Sequence, residues 1–346
     1  MTEAKICLAS DNWSPAHPHI MQAVIDANKG YAIPYGGDKW TKEASQCIKD
    51  HFQKKCTTFF LPTGTGANVF SFMLACRRYE SILVSDIAHV QDQETGATES
   101  CVGCKLLTVP HEVGKITPAR IKKRLHKERA LGKHATSPRM LSLTQSTEVG
   151  TVYSLEELSS LSQLCKEEGL LLHIDGSRFY NAAVSLGVSL KEIVDASNVD
   201  ILSLGGTKNG LMGGESVVIF NEKLAEGSEH VQKQMLQLLS KMRYLSAQYI
   251  SFFSNNLWFD LAEEANKRAR DIATIIESFP QCTISYPVET NQIFFTVPDA
   301  YFSKIQEHIF CYPWDEGKKE LRFVTSWNTS EEDIKGVRQV FYSFDY

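Results

Sequence analysis

At 346 residues, with 43% hydrophobic and 22% charged residues, the chain has the composition of an ordinary soluble globular protein with a sizeable core, in one large or two ordinary domains. A formal net charge of −5 without a basic tract gives no ground for nucleic-acid binding, and no apolar run reaches the length of a membrane span. The opening MTEAKICLASDN reads as no secretory or organellar leader, and nine scattered cysteines fit a reducing compartment, so a cytoplasmic location is expected.

In chain order, TTFFL (57–61) reads as a strand, PTGTG as a turn and ANVFSFMLACRRY as a helix. SILVSD is a second strand. Cys101 and Cys104 form a CxxC, but no second pair follows at zinc spacing. Two reduced thiols and no metal site are expected. TPARIKKRLHKERALG has Pro118 placed for a first helical turn and Gly132 placed to end the helix. RMLSLTQ is a strand. In SLEELSSLSQLCKEEG, Ser154 and Glu157 predict a capping box, leucines 155, 158, 161 and 164 recur at helical spacing, and Gly169 can close the helix. GLLLHID and VDILSLGG read as buried strands with a helix between them. This alternation predicts a largely parallel sheet covered by helices on both faces.

The pattern changes after SVVIF (216–220). Helical signals fill residues 221–279 in several pieces, followed by strand-like TISYPV, NQIFFTV and ELRFVTSW. Thr329 and Glu332 are placed to cap a last helix. The expected class is therefore α/β. A large domain spans 1–250, its N-terminal segment free to pack with a smaller α+β domain at 251–346.

Three segments carry candidate chemistry. In PTGTGAN, Gly64, Thr65 and Gly66 open a helix after a strand, which suits an anion at the helix N-terminus; a purely structural glycine turn fits as well. The GK[ST] ending of a nucleoside-triphosphate loop is missing. Asp175 ends the apolar strand LLLHI, where open α/β sheets place ligand-contacting groups, although it could simply cap a turn with Gly176. Lys208 follows VDILSLGG among small residues, where desolvation would depress its pKa. Together, Lys208 and Asp175 are what a pyridoxal-phosphate enzyme requires. An amine holds the aldehyde as a Schiff base, and a carboxylate keeps the pyridine nitrogen protonated. Arg178 could reach the cofactor's phenolate oxygen or pair with Asp175. His89 could stack on a planar ring or be a loop histidine. His134, before RMLSLTQ, could serve as acid or base or be a surface histidine.

Taken in order, these segments resemble the low-specificity threonine aldolases of the fold-type-I pyridoxal-phosphate superfamily. The resemblance spans nearly the whole chain. It rests on SDN (10–12), YGGDKWT (35–41), PTGTGAN, the AH of residues 88–89, TQSTEVGTVY (144–153), HIDGSRFYNA, GGTKNG, LLSKMRYLSAQ (238–248) and RFVTSW (322–327). It implies that Lys208 carries pyridoxal 5′-phosphate, that Asp175 holds its ring nitrogen and that His89 stacks on the ring. It further implies that Gly64, Thr65 and Gly66 bind the phosphate and that Arg178 lies beside the cofactor oxygen. Arg322 and Ser10 would grip the substrate carboxylate, His134 would lie near the substrate hydroxyl, and Tyr35 would reach a neighbouring subunit's pocket. The implied activity is retro-aldol cleavage of β-hydroxy-α-amino acids, threonine giving glycine and acetaldehyde, in a homotetramer. Alternatives are another enzyme of this fold, such as a β-eliminating lyase, or a cofactor-binding protein without turnover. Two departures, Ser177 where many members have alanine and the stretch around Glu148, bear on substrate choice more than on the cofactor.

Overall fold

The alternating pattern of the central strands is realised as a seven-stranded sheet in a computed structural model that describes residues 6–344. Its strands are β1 (Thr57–Leu61), β2 (Glu80–Ser85), β3 (Lys105–Val109), β4 (Ser137–Thr144), β5 (Leu171–Gly176), β6 (Ile201–Leu204) and β7 (Glu215–Ile219). They lie in the order β1-β7-β6-β5-β4-β2-β3. Every pairing is parallel except the two made by β7.

Successive side chains on a strand point to opposite faces, so buried strands feed two apolar layers. Leu83, Leu141, Leu172, Ile174 and Val218 join one core. Their neighbours Ile82, Val84, Met140, Val217 and Ile219 join the other, against helix α1 (Gly64–Ala75). Each fully buried Leu or Ile contributes about 1.5–3 kcal/mol. The same alternation puts His173 and Asp175 on the α1 face, because Leu172 and Ile174 face away.

The predicted helix ends are largely realised. Ser154 and Glu157 form the capping box of Leu155–Glu168, closed by Gly169 in the left-handed region. Pro118 opens Pro118–Ala130. The last helix, Glu331–Tyr342, is capped one residue later than expected, by Ser330 with Asp333. The Thr329 hydroxyl instead accepts from the Ser326 N–H at 3.0 Å. Cys101 is exposed, while Cys104 is buried with its thiol against that of Cys76.

The second helix needed to place the site, α2 (Leu257–Glu277), belongs to both halves of the chain. Leu257, Trp258 and Leu261 pack into the large core, whereas Ala269, Ile272 and Ile276 pack into a third cluster with Phe295 and Phe323. The apolar cores thus divide inside this helix. The third cluster lies on an antiparallel sheet of β8 (Thr283–Ile284), β9 (Gln292–Thr296), β10 (Tyr312–Asp315) and β11 (Glu320–Val324), in the order β10-β11-β9-β8. Of TISYPV only two residues pair, and YPWD forms a strand its proline had hidden. Leu8 joins this cluster, and its carbonyl accepts from the Val324 N–H at 2.9 Å.

Candidate active site

Strands β4, β5 and β6 are parallel, so their carboxyl ends open on one edge of the sheet. A cavity lies there. It is lined by Ser10, His89, Glu148, Asp175, Arg178, Lys208 and Arg322, among others. Six of the predicted residues are therefore brought together from segments far apart in the chain.

Lys208 sits in a single turn, Thr207–Asn209, just beyond β6. The two glycines before it are required by close approach. A Cβ on Gly205 would lie 2.5 Å from the Ser177 carbonyl oxygen, and one on Gly206 would lie 2.5 Å from that of Gly214. The chain thus runs against the turn that follows Asp175. Burial, then the Arg178 cation, push the Lys208 amine below its ordinary pKa, opposed by the charges of Asp11, Asp175 and Glu215.

The Asp175 carboxylate accepts from the Ser177 N–H (3.0 Å), the Ser177 hydroxyl (2.7 Å) and Nδ2 of Asn68 on α1 (2.8 Å). Burial alone would raise its pKa, but these bonds and the Lys208 charge hold it below the usual range. Asn68 Nδ2 also donates to Oε1 of Glu94 at 3.1 Å, and that oxygen lies 2.8 Å from His89 Nδ1. Glu94 is buried, whereas the His89 ring opens on the cavity. The carboxylate favours the tautomer with the proton on Nδ1, leaving Nε2 as an acceptor.

Arg178 does not pair with Asp175. Its Nε and Nη2 donate to the two oxygens of Asp11 at 2.7 and 2.9 Å, a bidentate ion pair. Asn291 Nδ2 adds a third bond to Asp11 at 3.0 Å, tying the N-terminal segment to both domains. Arg322, on β11, lies over the rings of Tyr312 and Trp314, 5.6 and 5.7 Å from their centroids. Burial, then Arg178, lower its pKa to about 10.

Five predicted residues are not on the wall of that cavity: His134, Tyr35, Gly64, Thr65 and Gly66. His134 is exposed in the turn Gly132–His134, before β4 begins. The cavity is at the other end of that strand, roughly 20 Å away at about 3.3 Å per residue. It therefore does not reach the Lys208 pocket of its own chain, contrary to the expected place beside a substrate hydroxyl there. Tyr35 lines a separate cavity with Thr41, Phe60 and Met242, its ring beneath the Lys233 ammonium. It does not reach the Lys208 pocket of its own chain. Gly64, Thr65 and Gly66 form the first turn of α1, one turn before Asn68, and their leading N–H groups lie outside the helix ladder.

Several residues of this arrangement were not singled out by sequence reasoning: Asp11, Asn68, Glu94 and Glu215. Asp11 and Asn68 lie inside quoted motifs, SDN and PTGTGAN, so only their partners were hidden. Glu215, at the start of β7, is the least visible. Its Oε2 accepts from the Gly206 N–H at 2.7 Å, which holds the loop that carries Lys208. Burial raises its pKa to about 7, against the opposing pull of the Thr207 hydroxyl, the Gly206 N–H and the Lys208 charge. A carboxyl raised from 4.5 in this way contributes full stability below pH 4.5 and loses it as pH rises through 7. The loss amounts to about 3 kcal/mol. In cofactor-free protein, Glu215→Gln should gain on the native chain between pH 5 and pH 8, read from urea midpoints. Parallel pH dependence of the two would contradict this origin.

The residues present fit pyridoxal phosphate. There is an amine at Lys208, a buried carboxylate at Asp175, an aromatic face at His89 and a helix N-terminus suited to a phosphate. A Cβ on Gly66 would meet Oε1 of Gln237 at 2.5 Å and the Thr63 hydroxyl at 2.8 Å, so a side chain there would have to displace both groups. Arg322 keeps a buried Nε–H without a partner among the described residues.

The family described as β-eliminating lyase matches residues 8–300. A low-specificity L-threonine aldolase of Pseudomonas aeruginosa is 39% identical over 341 residues, covering 98% of this chain and 97% of the relative. One from a Pseudomonas species is 37% identical, covering 97% and 96%. Among solved structures, a threonine aldolase of Leishmania major superposes with a TM-score of 0.92 at 29% identity, covering 98% of this chain and 99% of that one. An archaeal alanine:glyoxylate aminotransferase, with a TM-score of 0.71 at 14% identity, covers 99% and 92% and shares the fold alone. Fold, site and kinship agree: this chain belongs to the β-eliminating lyase family, on its low-specificity L-threonine aldolase branch.

Proposed function

We propose that this chain cleaves L-threonine, L-allo-threonine and related β-hydroxy-α-amino acids to glycine and an aldehyde, with pyridoxal 5′-phosphate held at Lys208. The observation that carries the reading is the convergence of Lys208 and Asp175, from adjacent strands, with Arg322 and Ser10 in one cavity. When bound, the cofactor supplies an electron-withdrawing ring that accepts the pair of the broken Cα–Cβ bond.

The chain's own groups do the rest. Lys208, its pKa depressed, presents an amine to the cofactor aldehyde. Asp175, kept ionised by Ser177 and Asn68, holds a proton at the pyridine nitrogen. His89, oriented by Glu94, would pack on the ring face of the bound cofactor. The first turn of α1, with Gly64, Thr65 and Gly66, receives the phosphate. Arg178, fixed by Asp11, would hold the ring oxygen of the bound cofactor. Arg322 and Ser10 take the substrate carboxylate and thereby set which bond to Cα stands across the ring plane. The test is aldehyde release by the holoenzyme from L-threonine and L-allo-threonine. No aldehyde from either, nor from phenylserine, would remove the reading. Ammonia and a keto acid would point to β-elimination instead.

The assembly we infer is a cytoplasmic homotetramer. Tyr31, Ile33, Leu236 and Leu239 are exposed, Leu236 at 87%. The Tyr35 N–H bond to the Ser240 carbonyl ties together the two segments that carry these exposed apolar residues. Leu236→Asp should shift the protein to a smaller assembly in light scattering after gel filtration. An unchanged mass would place the interface elsewhere. Among the described residues no helix is long and apolar enough to cross a membrane.

A further inference from the structure

The carboxylate of Glu148 opens on the Lys208 cavity and has no part in the chemistry above. Its loop is braced from both domains. The Gln145 carboxamide bonds the Tyr153 backbone in both directions at 3.0 Å, and the hydroxyls of Thr147 and Thr151 lie 2.7 Å apart. From the small domain, Gln292 donates to the Thr147 carbonyl at 3.3 Å and Thr290 to that of Gly150 at 2.8 Å. A carboxylate on such a frame is held in place before substrate arrives.

Its two oxygens differ. Oε1 accepts from the Thr144 hydroxyl at 2.7 Å and from the His89 N–H at 3.1 Å. Oε2 makes no side-chain or backbone bond to another described residue, and the side chain is only partly buried at the cavity wall. The other carboxylate on that wall, Asp175, is occupied by Ser177 and Asn68. Retro-aldol cleavage requires a base at the substrate hydroxyl. His134, expected there, stands at the opposite end of β4 in its own chain.

We propose that Glu148 is that base, its Oε2 taking the proton of the substrate β-hydroxyl as the Cα–Cβ bond breaks. The assignment rests on the aldolase reading. The O–H pair becomes the second bond of the aldehyde carbonyl. The Cα–Cβ pair, which the cofactor would delocalise when bound, stays with Cα, which takes one proton in place of the one Glu148 accepted; Lys208 would then displace glycine, so the proton count closes. Burial, reinforced by the Asp175 charge, raises the proton affinity of Glu148 above that of an ordinary carboxylate, which suits a base acting on an alcohol.

The variant Glu148→Gln, loaded with pyridoxal phosphate, separates this role from others. Cofactor absorbance and exchange of the glycine Cα proton into D2O, which needs no hydroxyl base, stay native. Cleavage of threonine and phenylserine falls by about a hundredfold or more in kcat. Formate added to Glu148→Ala restores part of the lost rate. Native cleavage in Glu148→Gln overturns the proposal. So does an equal loss of glycine exchange and cleavage, which would mean that Glu148 acts through the cofactor or the fold. If the native holoenzyme itself releases no aldehyde, the aldolase reading falls, and this proposal with it.

Discussion

Lys208→Ala should abolish the absorbance band of the lysine-bound cofactor and reduce aldehyde release from L-threonine on the order of 10⁴-fold or more. Among the described residues, Lys208 is the only lysine on the wall of the cavity. Its surroundings favour the neutral amine, because burial and the Arg178 cation both disfavour the charged form. Lys208→Arg discriminates charge from covalency. It restores a cation facing Asp175 but offers no primary amine, so it should be as inactive as the alanine variant. Borohydride reduction of native holoenzyme followed by peptide mapping should tag Lys208. A tag on another lysine, or an unchanged band in Lys208→Ala, would defeat the assignment of the site.

Asp11→Asn should destabilise the protein by about 3–5 kcal/mol, because it removes one half of a buried ion pair and leaves the other charged. Asp11 is 1% exposed and Arg178 has no other carboxylate partner among the described residues. Arginine 178 would then face Lys208 and Arg322 uncompensated. A second effect follows at the active lysine. Asp11 is one of the charges that raise the Lys208 pKa, so its neutralisation should lower that pKa further. In cofactor-free protein, the pH dependence of alkylation at Lys208, read by mass spectrometry, should move to lower pH. The urea midpoint should fall in parallel. Burial alone would raise the Asp11 pKa, but Arg178, Lys208 and Asn291 together depress it below 3.8, so its contribution is present above that pH and lost on acidification. An unchanged midpoint at neutral pH would show that Arg178 finds another acceptor.

Much of the site was legible because its principal groups stand at strand ends. Asp175 closes an apolar strand, and Lys208 follows one after two glycines whose hydrogens touch backbone oxygens. Apolar runs, capping boxes and turn glycines are local signals, and the helix beginning at Leu155 has all three in sequence. His134 shows the same rule ignored. In a parallel sheet the carboxyl ends share one edge, so a residue preceding a strand stands at the wrong end of it.

Local pattern therefore determined the parallel α/β layers, the phosphate-type turn and the lysine–aspartate pair, since strand and helix periods depend only on neighbours in the chain. Tertiary structure alone decided that Arg178 meets Asp11, 167 positions away, and that Glu94 bridges His89 to Asn68. It also turned the Glu148 carboxylate into the cavity, through bonds from Thr290 and Gln292 to its loop. Those contacts satisfy buried charges and amides with partners that only the folded chain brings within 3 Å or so, and no local periodicity encodes which distant group that will be.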